Sequence, residues 1–489
     1  MSDHFIACDL GAESGRVILG RLDADRVQLE EIHRFPNGAV RIAGSLRWDV
    51  LRIFEELKSG LRRIAAKGVP VRSVSVDSWG LDYVLTAPGQ PMLSLPFSYR
   101  DARTDAPFAA VLESPGRGPV FAETGIQFLP INTLYQLIAE RENGAGLLGL
   151  ADRFLMIADY VQFLFSGVAA AEESLASTTQ LYNPITRRWS ERLTEILALP
   201  AHIFPKLVEP CTRLGPLLPE LVSETGLNGV EVVATCSHDT GAAVAAVPAS
   251  GEDWAYLSSG TWSLIGVELP RPLIDDAALA NNFTNEAGFG GTTRFLKNIV
   301  GLWLLQECRR TWARAGNEFN YGTLAAQAEH AEPFRSLVNP DDQRFLKPDG
   351  MPEKIAAYCR ETGQPEPVTP GQFTRCIYES LALLYRRTLD EIEVVTGRRI
   401  AQLHIVGGGS QSALLDQFAA NATGRKVVAG PVEATALGNV LLQAIALGRI
   451  ASLAELRTIV ASSVSLATHP PRDASPWDAA FARFSQLPA

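Results

Sequence analysis

Short β-branched runs and longer segments of helical periodicity alternate along this chain, and the alternation is clearest over residues 230–247. Residues 230–235 form an apolar run typical of a buried strand, and an alanine-rich segment from Gly241 predicts a helix. Asp239 lies between them, near the helix start, where backbone N–H groups and the helix dipole stabilise a carboxylate. Two interpretations are open: Asp239 is an N-cap, or it is a general base at the mouth of a cleft.

Two hairpins with the same pattern each open about half of the chain. Residues 5–20 predict a strand, a turn carrying Gly11 and Gly15, and a second strand. Residues 255–268 repeat strand, small-residue turn and strand, so a duplicated architecture is predicted. Because the PASGED sequence at 248–253 breaks the preceding helix, we predict two domains, 1–248 and 249–489.

Strand and helix patterns also alternate within the second half. Residues 297–314 and 375–396 have apolar positions at helical spacing, so a helix is predicted over each. Residues 403–406 predict a strand that ends in Gly407-Gly408-Gly409, followed by a helix from about residue 411. Strands alternating with helices in both halves predict an α/β fold.

Composition excludes several functional classes. A formal net charge of -10 argues against a broad nucleic-acid or anionic-membrane surface, which needs a positive field. We expect no secretion signal or membrane span, because Asp9 follows only a few apolar residues and no later apolar run approaches about 20 residues. The six cysteines are scattered without a CxxC pair, which disfavours a zinc site or a disulfide scaffold. We therefore expect a cytoplasmic protein that binds neither nucleic acid nor membrane.

The first hairpin turn has the ingredients of a phosphate cradle. Gly11 and Gly15 allow close approach of the backbone, Ser14 offers a hydroxyl, and Asp9 can hold Mg²⁺ through water. The pattern is neither Walker A nor GxGxxG, because no lysine follows Gly15 and no helix is predicted after the turn. Alone it is a weak signal, since most two-glycine turns are only turns.

Two further small-residue turns strengthen the prediction of a nucleotide site. Ser259-Gly260-Thr261 supplies hydroxyls that can close on the same polyphosphate, and the bare backbone of 407–409 can accept the flat face of an adenine. Each turn alone has a structural explanation. Their order along the chain, with Asp239 between the first two, favours a shared function.

Four segments together resemble the motif set of the FGGY carbohydrate kinases: DLGAESGR at 9–16, SHDTGAAV at 237–244, YLSSGTWSLIG at 256–266 and LHIVGGGSQSALLDQ at 403–417. This family belongs to the sugar-kinase, Hsp70 and actin superfamily. The resemblance implies an α/β fold of duplicated ribonuclease H-like (actin-like ATPase) domains, two lobes around a central cleft. It also implies ATP and Mg²⁺ as cofactors.

A narrower resemblance, to the members of this family that act on L-rhamnulose, rests on five more segments: VDSWGLDYVL at 76–85, YRDART at 99–104, TGIQFLPINTLYQL at 124–137, LKNIVGLWLLQE at 296–307 and AGPVEATALGN at 429–439. The match runs from the first strand to about residue 445. It implies ATP-dependent phosphorylation of the C1 hydroxyl of L-rhamnulose, in L-rhamnose catabolism.

The resemblance also implies roles for individual positions. Asp239 matches the family's catalytic base. The nucleotide-binding positions are Ala12, Glu13, Ser14, Gly15, Arg16, Thr261, Gln306 and Gly408. The sugar-binding positions are Gly80, His238, Asp239, Thr240 and Asn298.

Asn298 and Gln306 are eight residues apart, so one face of the predicted 297–314 helix would present both side chains. Asp77 and Asp82, on either side of Gly80, either bind sugar hydroxyls or cap the turn.

Alternatives remain at this point. The nucleotide motifs do not separate L-rhamnulose from L-fuculose, L-ribulose or D-xylulose, and an ATPase switch could share the superfamily core. The switch is disfavoured because the two halves use nearly the whole chain. We expect a small-molecule ketose as the binding partner and either a monomer or a homodimer.

Overall fold

The computed structural model describes residues 2–143 and 146–488. Two large sheets and their covering helices make up most of the chain. The strands are β1 (Asp3–Leu10), β2 (Ser14–Asp23), β3 (Arg26–Pro36), β4 (Val40–Ile42), β5 (Ser45–Arg47), β6 (Val71–Ser78), β7 (Tyr83–Thr86), β8 (Arg153–Met156), β9 (Ala171–Glu172), β10 (Tyr182–Asn183), β11 (Arg188–Trp189), β12 (Leu207–Val208), β13 (Thr212–Pro216), β14 (Glu231–Ala234), β15 (Trp254–Ser259), β16 (Trp262–Leu269), β17 (Thr284–Ala287), β18 (Thr293–Val300), β19 (Gln402–Val406), β20 (Lys426–Ala429) and β21 (Ala467–His469).

The helices cover residues from both halves of the sequence. They are α1 (Val50–Ala65), α2 (Asp105–Glu113), α3 (Arg117–Thr124), α4 (Thr133–Asn143), α5 (Leu147–Leu150), α6 (Ile157–Ser166), α7 (Glu173–Ala176), α8 (Glu191–Ile196), α9 (Pro219–Thr225), α10 (Asp239–Ala245), α11 (Asp276–Ala280), α12 (Trp303–Arg314), α13 (Tyr321–His330), α14 (Met351–Glu361), α15 (Pro370–Thr396), α16 (Ala413–Thr423), α17 (Ala434–Ala446), α18 (Leu453–Ser463) and α19 (Ala474–Phe484).

The two sheets share one topology, which confirms the predicted α/β duplication. Their strand orders are β13-β14-β6-β1-β2-β3 and β17-β18-β16-β15-β19-β20-β21. In the first, β1 pairs antiparallel with β2 and parallel with β6, and β14 runs parallel to β6. In the second, β15 pairs antiparallel with β16 and parallel with β19, and β20 runs parallel to β19. The centre of each sheet is thus a hairpin extended by two parallel strands, and further strands pair at both edges.

Contacts group the chain into two compact units. Unit 1 comprises Met1–Pro248, Glu268–Phe295 and Ala434–Ser463, and unit 2 comprises Ala249–Val267, Leu296–Glu433 and Val464–Ala489. This grouping follows spatial contacts, so two segments from the second half of the sequence, Glu268–Phe295 and Ala434–Ser463, belong to unit 1. The sequence boundary at 248/249 stays a prediction.

Helices α1 and α17 cover opposite faces of the unit 1 sheet. Successive side chains of a strand point to opposite faces, so β2 contacts both helices. A Cβ at Gly60 of α1 would lie 2.5 Å from the Val17 side chain, and a Cβ at Gly20 would lie 2.5 Å from that of Val440 in α17. Val17 and Gly20 are three residues apart on one strand and therefore face opposite sides. The core strand β1 is buried along nearly its whole length.

Unit 2 is built around the long helix α15. It begins with a capping box, in which Thr369 and Gln372 exchange side-chain and backbone hydrogen bonds, and ends at Gly397 in the left-handed conformation. Helices α13, α16 and α19 pack against it. The predicted helix at 375–396 is therefore confirmed, with five more residues at its start.

The predicted helix over 297–314 is confirmed from Trp303 to Arg314 and is wrong at its start. Residues 293–300 form strand β18, and the helix α12 begins only at Trp303. A Cβ at Gly301 would lie 2.7 Å from the Gly260 carbonyl oxygen, so the chain turns here against another backbone segment. Asn298 and Gln306 consequently belong to different elements and do not share a helix face. Among the described residues, no helix is both long enough and apolar enough to cross a membrane.

Candidate active site

Three parallel strands of unit 1 end side by side and bring most of its predicted site residues together. Gly11 follows β1, Gly80 lies just beyond β6, and His238 follows β14. The backbone N–H of Trp79 donates to the Leu10 carbonyl oxygen at 3.2 Å. Ligands of open α/β sheets bind at the carboxyl ends of such strands.

The β1–β2 turn is closed by its own backbone. The Gly11 N–H donates to the Ser14 carbonyl oxygen at 2.9 Å, and the Asn37 side chain donates to the Gly11 carbonyl oxygen at 2.8 Å. Arg16 forms an ion pair with Asp9, and Glu13 is exposed at the turn. The predicted segment 12–16 thus comprises the end of this turn and the first residues of β2, with Arg16 ion-paired to Asp9.

Asp239 is the first residue of α10, and His238 is the residue before the helix. This confirms the predicted strand-to-helix junction. Asp239 Oδ1 accepts hydrogen bonds from the Thr240 N–H at 2.5 Å and the Thr240 hydroxyl at 3.1 Å. Its side chain is 32% exposed, so a ligand can reach it. Desolvation raises the pKa of Asp239, and the nearby Asp9 carboxylate raises it further.

A buried glutamate holds the backbone that leads into Asp239. Glu172 Oε2 accepts the Ser237 N–H at 2.8 Å, the Leu175 N–H at 3.2 Å and the Ser174 hydroxyl. The Ser174 hydroxyl oxygen in turn accepts the His238 N–H at 3.2 Å. Burial raises the pKa of Glu172 to about 7. Glu172 was not predicted, and its sequence context carries no motif that would single it out.

His238 is buried between two charged groups that sequence reasoning also missed. Its Nδ1 lies 3.2 Å from Arg294 Nη2 and 3.3 Å from Glu286 Oε2, and its Nε2 lies 3.4 Å from Asp239 Oδ1. Arg294 and Glu286 are themselves 2.9 Å apart. His238 therefore touches the predicted base on one side and an ion pair on the other.

The two aspartates flanking Gly80 differ in role. Asp82 is buried and accepts hydrogen bonds from the Trp48 indole at 2.6 Å and the Trp79 indole at 3.0 Å, so it fixes the turn. Asp77 is buried and accepts the Asn439 amide at 2.6 Å. Desolvation and the neighbouring Asp9 hold the pKa of Asp77 well above its usual range. A Cβ at Gly80 itself would lie 2.9 Å from the Thr178 hydroxyl, which leaves room only for glycine.

In unit 2, the turn between β15 and β16 contacts the start of α12. The Leu302 N–H donates to the Gly260 carbonyl oxygen at 2.9 Å, and the Trp303 N–H donates to the Thr261 carbonyl oxygen at 3.2 Å. Gln306 lies one turn into this helix, and its side-chain oxygen is buried with no hydrogen-bond partner among the described residues. The turn that carries Thr261 thus contacts the first residues of the helix that carries Gln306, while Asn298 is half-buried on β18.

The glycine turn after β19 packs on the same hairpin. A Cβ at Gly409 would lie 1.9 Å from the Ser259 hydroxyl oxygen, whereas a Cβ at Gly408 would meet nothing within 4 Å. Gly409 is therefore required by packing. Gly408 is exposed and has open space before it, as a nucleotide-contacting position needs.

Whether these residues suit Mg²⁺ depends on the number of ligands that the protein itself would have to supply. Within residues 2–143 and 146–488, no group of three or more His, Cys, Asp or Glu side chains could hold a metal ion. Mg²⁺ commonly keeps several waters and binds through one or two carboxylates plus substrate phosphates. Asp9, with its carboxylate at the base of the first turn, suits that mode.

Both halves of the chain match models of one protein family. The N-terminal domain of the FGGY family of carbohydrate kinases matches residues 4–246, and its C-terminal domain matches residues 255–447. This chain belongs to the FGGY family of carbohydrate kinases.

Curated relatives of this FGGY kinase extend over its full length. A rhamnulokinase of Bacteroides thetaiotaomicron is 43% identical, covering 99% of each chain. A rhamnulokinase of Bacillus subtilis is 39% identical, covering 96% of each.

Solved structures agree on the fold of this FGGY kinase. A xylulose kinase from Lactobacillus acidophilus superposes with a TM-score of 0.83 at 16% identity, covering 99% of this chain and 97% of that one. A Plasmodium falciparum glycerol kinase with ADP gives 0.80 at 14% identity, with coverage of 99% and 97%. These likenesses establish the sugar-kinase fold, in line with the predicted actin-like ATPase class.

Proposed function

We propose that this FGGY kinase transfers the γ-phosphoryl group of ATP to the C1 hydroxyl of L-rhamnulose, giving L-rhamnulose 1-phosphate and ADP. The observation that carries the proposal is the full-length similarity to proteins named rhamnulokinase, at 43% and 39% identity. The place of this reaction is the catabolism of L-rhamnose.

Asp239 is assigned as the general base. Its Oδ1 already accepts both hydrogen bonds from Thr240, whereas Oδ2 accepts none within the part of the chain that the structure describes, so Oδ2 is the oxygen for the substrate proton. As the C1 oxygen bonds to the γ-phosphorus, the hydroxyl proton passes to this oxygen. The raised pKa of Asp239 makes the carboxylate a stronger proton acceptor than an exposed aspartate.

The sugar is assigned to residues around that base. His238 and Thr240 flank Asp239, and Gly80 follows the adjacent strand end. We assign Asn298 to the same role on the resemblance alone. Bare backbone at Gly80 and polar side chains at the other positions suit a ligand that consists mainly of hydroxyl groups.

ATP is assigned to the three small-residue turns. We assign the phosphates to Ala12, Glu13, Ser14, Gly15, Arg16 and Thr261. We assign the nucleoside to Gly408 and Gln306. Mg²⁺ bound with ATP would neutralise phosphate charge, and Asp9 would hold it through water.

The test of this proposal is ADP release in the presence of Mg²⁺ with L-rhamnulose, L-fuculose, L-ribulose, D-xylulose or glycerol, and with no sugar. We expect kcat/KM to be highest for L-rhamnulose. A clear preference for another ketose would replace the substrate and keep the mechanism. Equal ADP release with and without sugar would indicate an ATPase switch and would overturn the proposed function.

A further inference from the structure

Arg294 is a buried cation whose guanidinium contacts three segments of unit 1. Its side chain is 0% exposed. Nε donates to the Ala287 carbonyl oxygen at 3.1 Å, and Nη2 donates to the Ser174 carbonyl oxygen at 3.4 Å and to His238 Nδ1 at 3.2 Å. Nη1 forms the ion pair with Glu286. Arg294 thus sits behind His238, away from Asp239.

The contact between Arg294 and His238 fixes where the imidazole carries its proton. A guanidinium has only donors and stays charged at any pH the fold survives. Nδ1 of His238 must therefore be the acceptor, and a neutral imidazole then carries its one proton on Nε2. Nε2 faces Asp239 Oδ1 at 3.4 Å.

We propose that Arg294 is a positioning residue for phosphoryl transfer, which holds His238 neutral with its Nε2 proton directed at the Asp239 carboxylate. This rests on the proposed function only in making Asp239 the base. His238 then orients the carboxylate without placing a full positive charge beside it. A full charge there would stabilise the carboxylate and weaken it as a base.

Glu286 makes the arrangement depend on Arg294. Its carboxylate lies 3.3 Å from the same Nδ1, so it would favour a proton there. Arg294 opposes this both by donating to Nδ1 and by pairing with Glu286. Without Arg294, Glu286 would favour a proton on Nδ1, and the Nε2 proton would no longer be held toward Asp239. Besides these groups, Asp9 and Asp77 act electrostatically on this region from β1 and β6.

The first experiment reads the His238 tautomer by ¹⁵N NMR of histidine-labelled protein, with His238→Gln to assign its signals. In the unaltered protein we expect an unprotonated Nδ1 and a protonated Nε2. A protonated Nδ1 would overturn the proposal. This reading needs no turnover, so it stays decisive if L-rhamnulose is not the substrate.

The second experiment compares three variants by the same signals and by pH profiles of kcat/KM. Arg294→Met should give a protonated Nδ1, change the acidic limb and lower kcat about 10-fold, with KM changed less. Arg294→Lys, which keeps a charged donor, and Glu286→Gln, which keeps Arg294, should retain the neutral imidazole. An unchanged tautomer and an unchanged pH profile in Arg294→Met would reduce Arg294 to a packing role. If Arg294→Met does not fold, the ¹⁵N signals of His238 in the unaltered protein and in Glu286→Gln still show which ring nitrogen carries the proton, and so still test the proposal.

Discussion

The backbone N–H of Ser78 donates to the carbonyl oxygen of Ser237 at 2.9 Å, although the two residues are 159 positions apart in the sequence. This bond joins the end of β6 to the segment between β14 and α10. It sets Gly80 and Asp239 at the same edge of the sheet, where the residues after β1 also lie. The proposed sugar site of unit 1 depends on this alignment of strand ends.

Replacing Asp239 with asparagine tests the proposed base directly. Asparagine keeps an Oδ1 that can accept the two bonds from Thr240, so the fold should not change. Loss of the proton acceptor should lower kcat by roughly 10²-fold or more, with the KM for ATP little changed. Steady-state kinetics would measure both. Asp25→Asn, on the exposed β2–β3 turn, is the matched control and should leave kcat and the KM for ATP unchanged. Near-normal turnover of Asp239→Asn would remove Asp239 from the mechanism.

The pH dependence of kcat/KM should reflect the raised pKa of Asp239. The carboxylate is the active form, so activity is full above that pKa and is lost as the pH falls through it. Because burial raises the pKa, the acidic limb should lie at higher pH than an ordinary aspartate would give. A profile from pH 4 to 9 measures this. The residual activity of Asp239→Asn should lack the limb, and a limb that persists unchanged there belongs to another group.

Two adjacent glycines should respond differently to alanine. Gly409→Ala places a Cβ 1.9 Å from the Ser259 hydroxyl oxygen, so it should lower the melting temperature. Gly408→Ala has open space within 4 Å, so it should fold normally but raise the KM for ATP, because the methyl group enters the proposed nucleotide site. Thermal unfolding and ATP titration separate the two effects. An unchanged ATP KM in Gly408→Ala would argue against that role.

Glu172→Gln should destabilise unit 1 and lower activity together. The glutamine amide nitrogen would face N–H donors that Glu172 now satisfies, including that of Ser237. Leaving such buried donors unpaired costs about 1–3 kcal/mol. Urea unfolding at pH 7 measures the loss, and Glu195→Gln, exposed on α8, is the control. Equal stability of the two variants would contradict a structural role for Glu172.

The same glutamate should contribute a pH dependence to stability. Burial raises its pKa from 4.5 to about 7, so the folded protein holds a proton that the unfolded chain releases. Its contribution to the free energy of unfolding should therefore decline as the pH rises from about 4.5 to 7. The difference between the unaltered protein and Glu172→Gln across this range isolates the effect. A difference that does not vary with pH would place the titration elsewhere.

The sequence predicted the elements best where local chemistry is decisive. The hairpin at β1–β2, the strand before Gly407 and the junction at Asp239 each combine a clear period with a small-residue or capping signal, and all three are confirmed. The start of the helix predicted over 297–314 is wrong because apolar spacing in a short buried run fits a strand or a helix equally. Only the close approach of Gly301 to the Gly260 backbone decides where the chain turns.

By itself, then, the sequence determined the α/β duplication, the glycine-bearing turns and the place of Asp239 between a strand and a helix, because periodicity and turn chemistry are properties of neighbouring residues. The role of Asp239 as a base is what the family resemblance implies. Tertiary structure decided which groups surround Asp239. His238 meets Arg294 across 56 residues, and Asp77 meets Asn439 across 362. Such contacts depend on the path of the chain between the partners, and no local pattern encodes them.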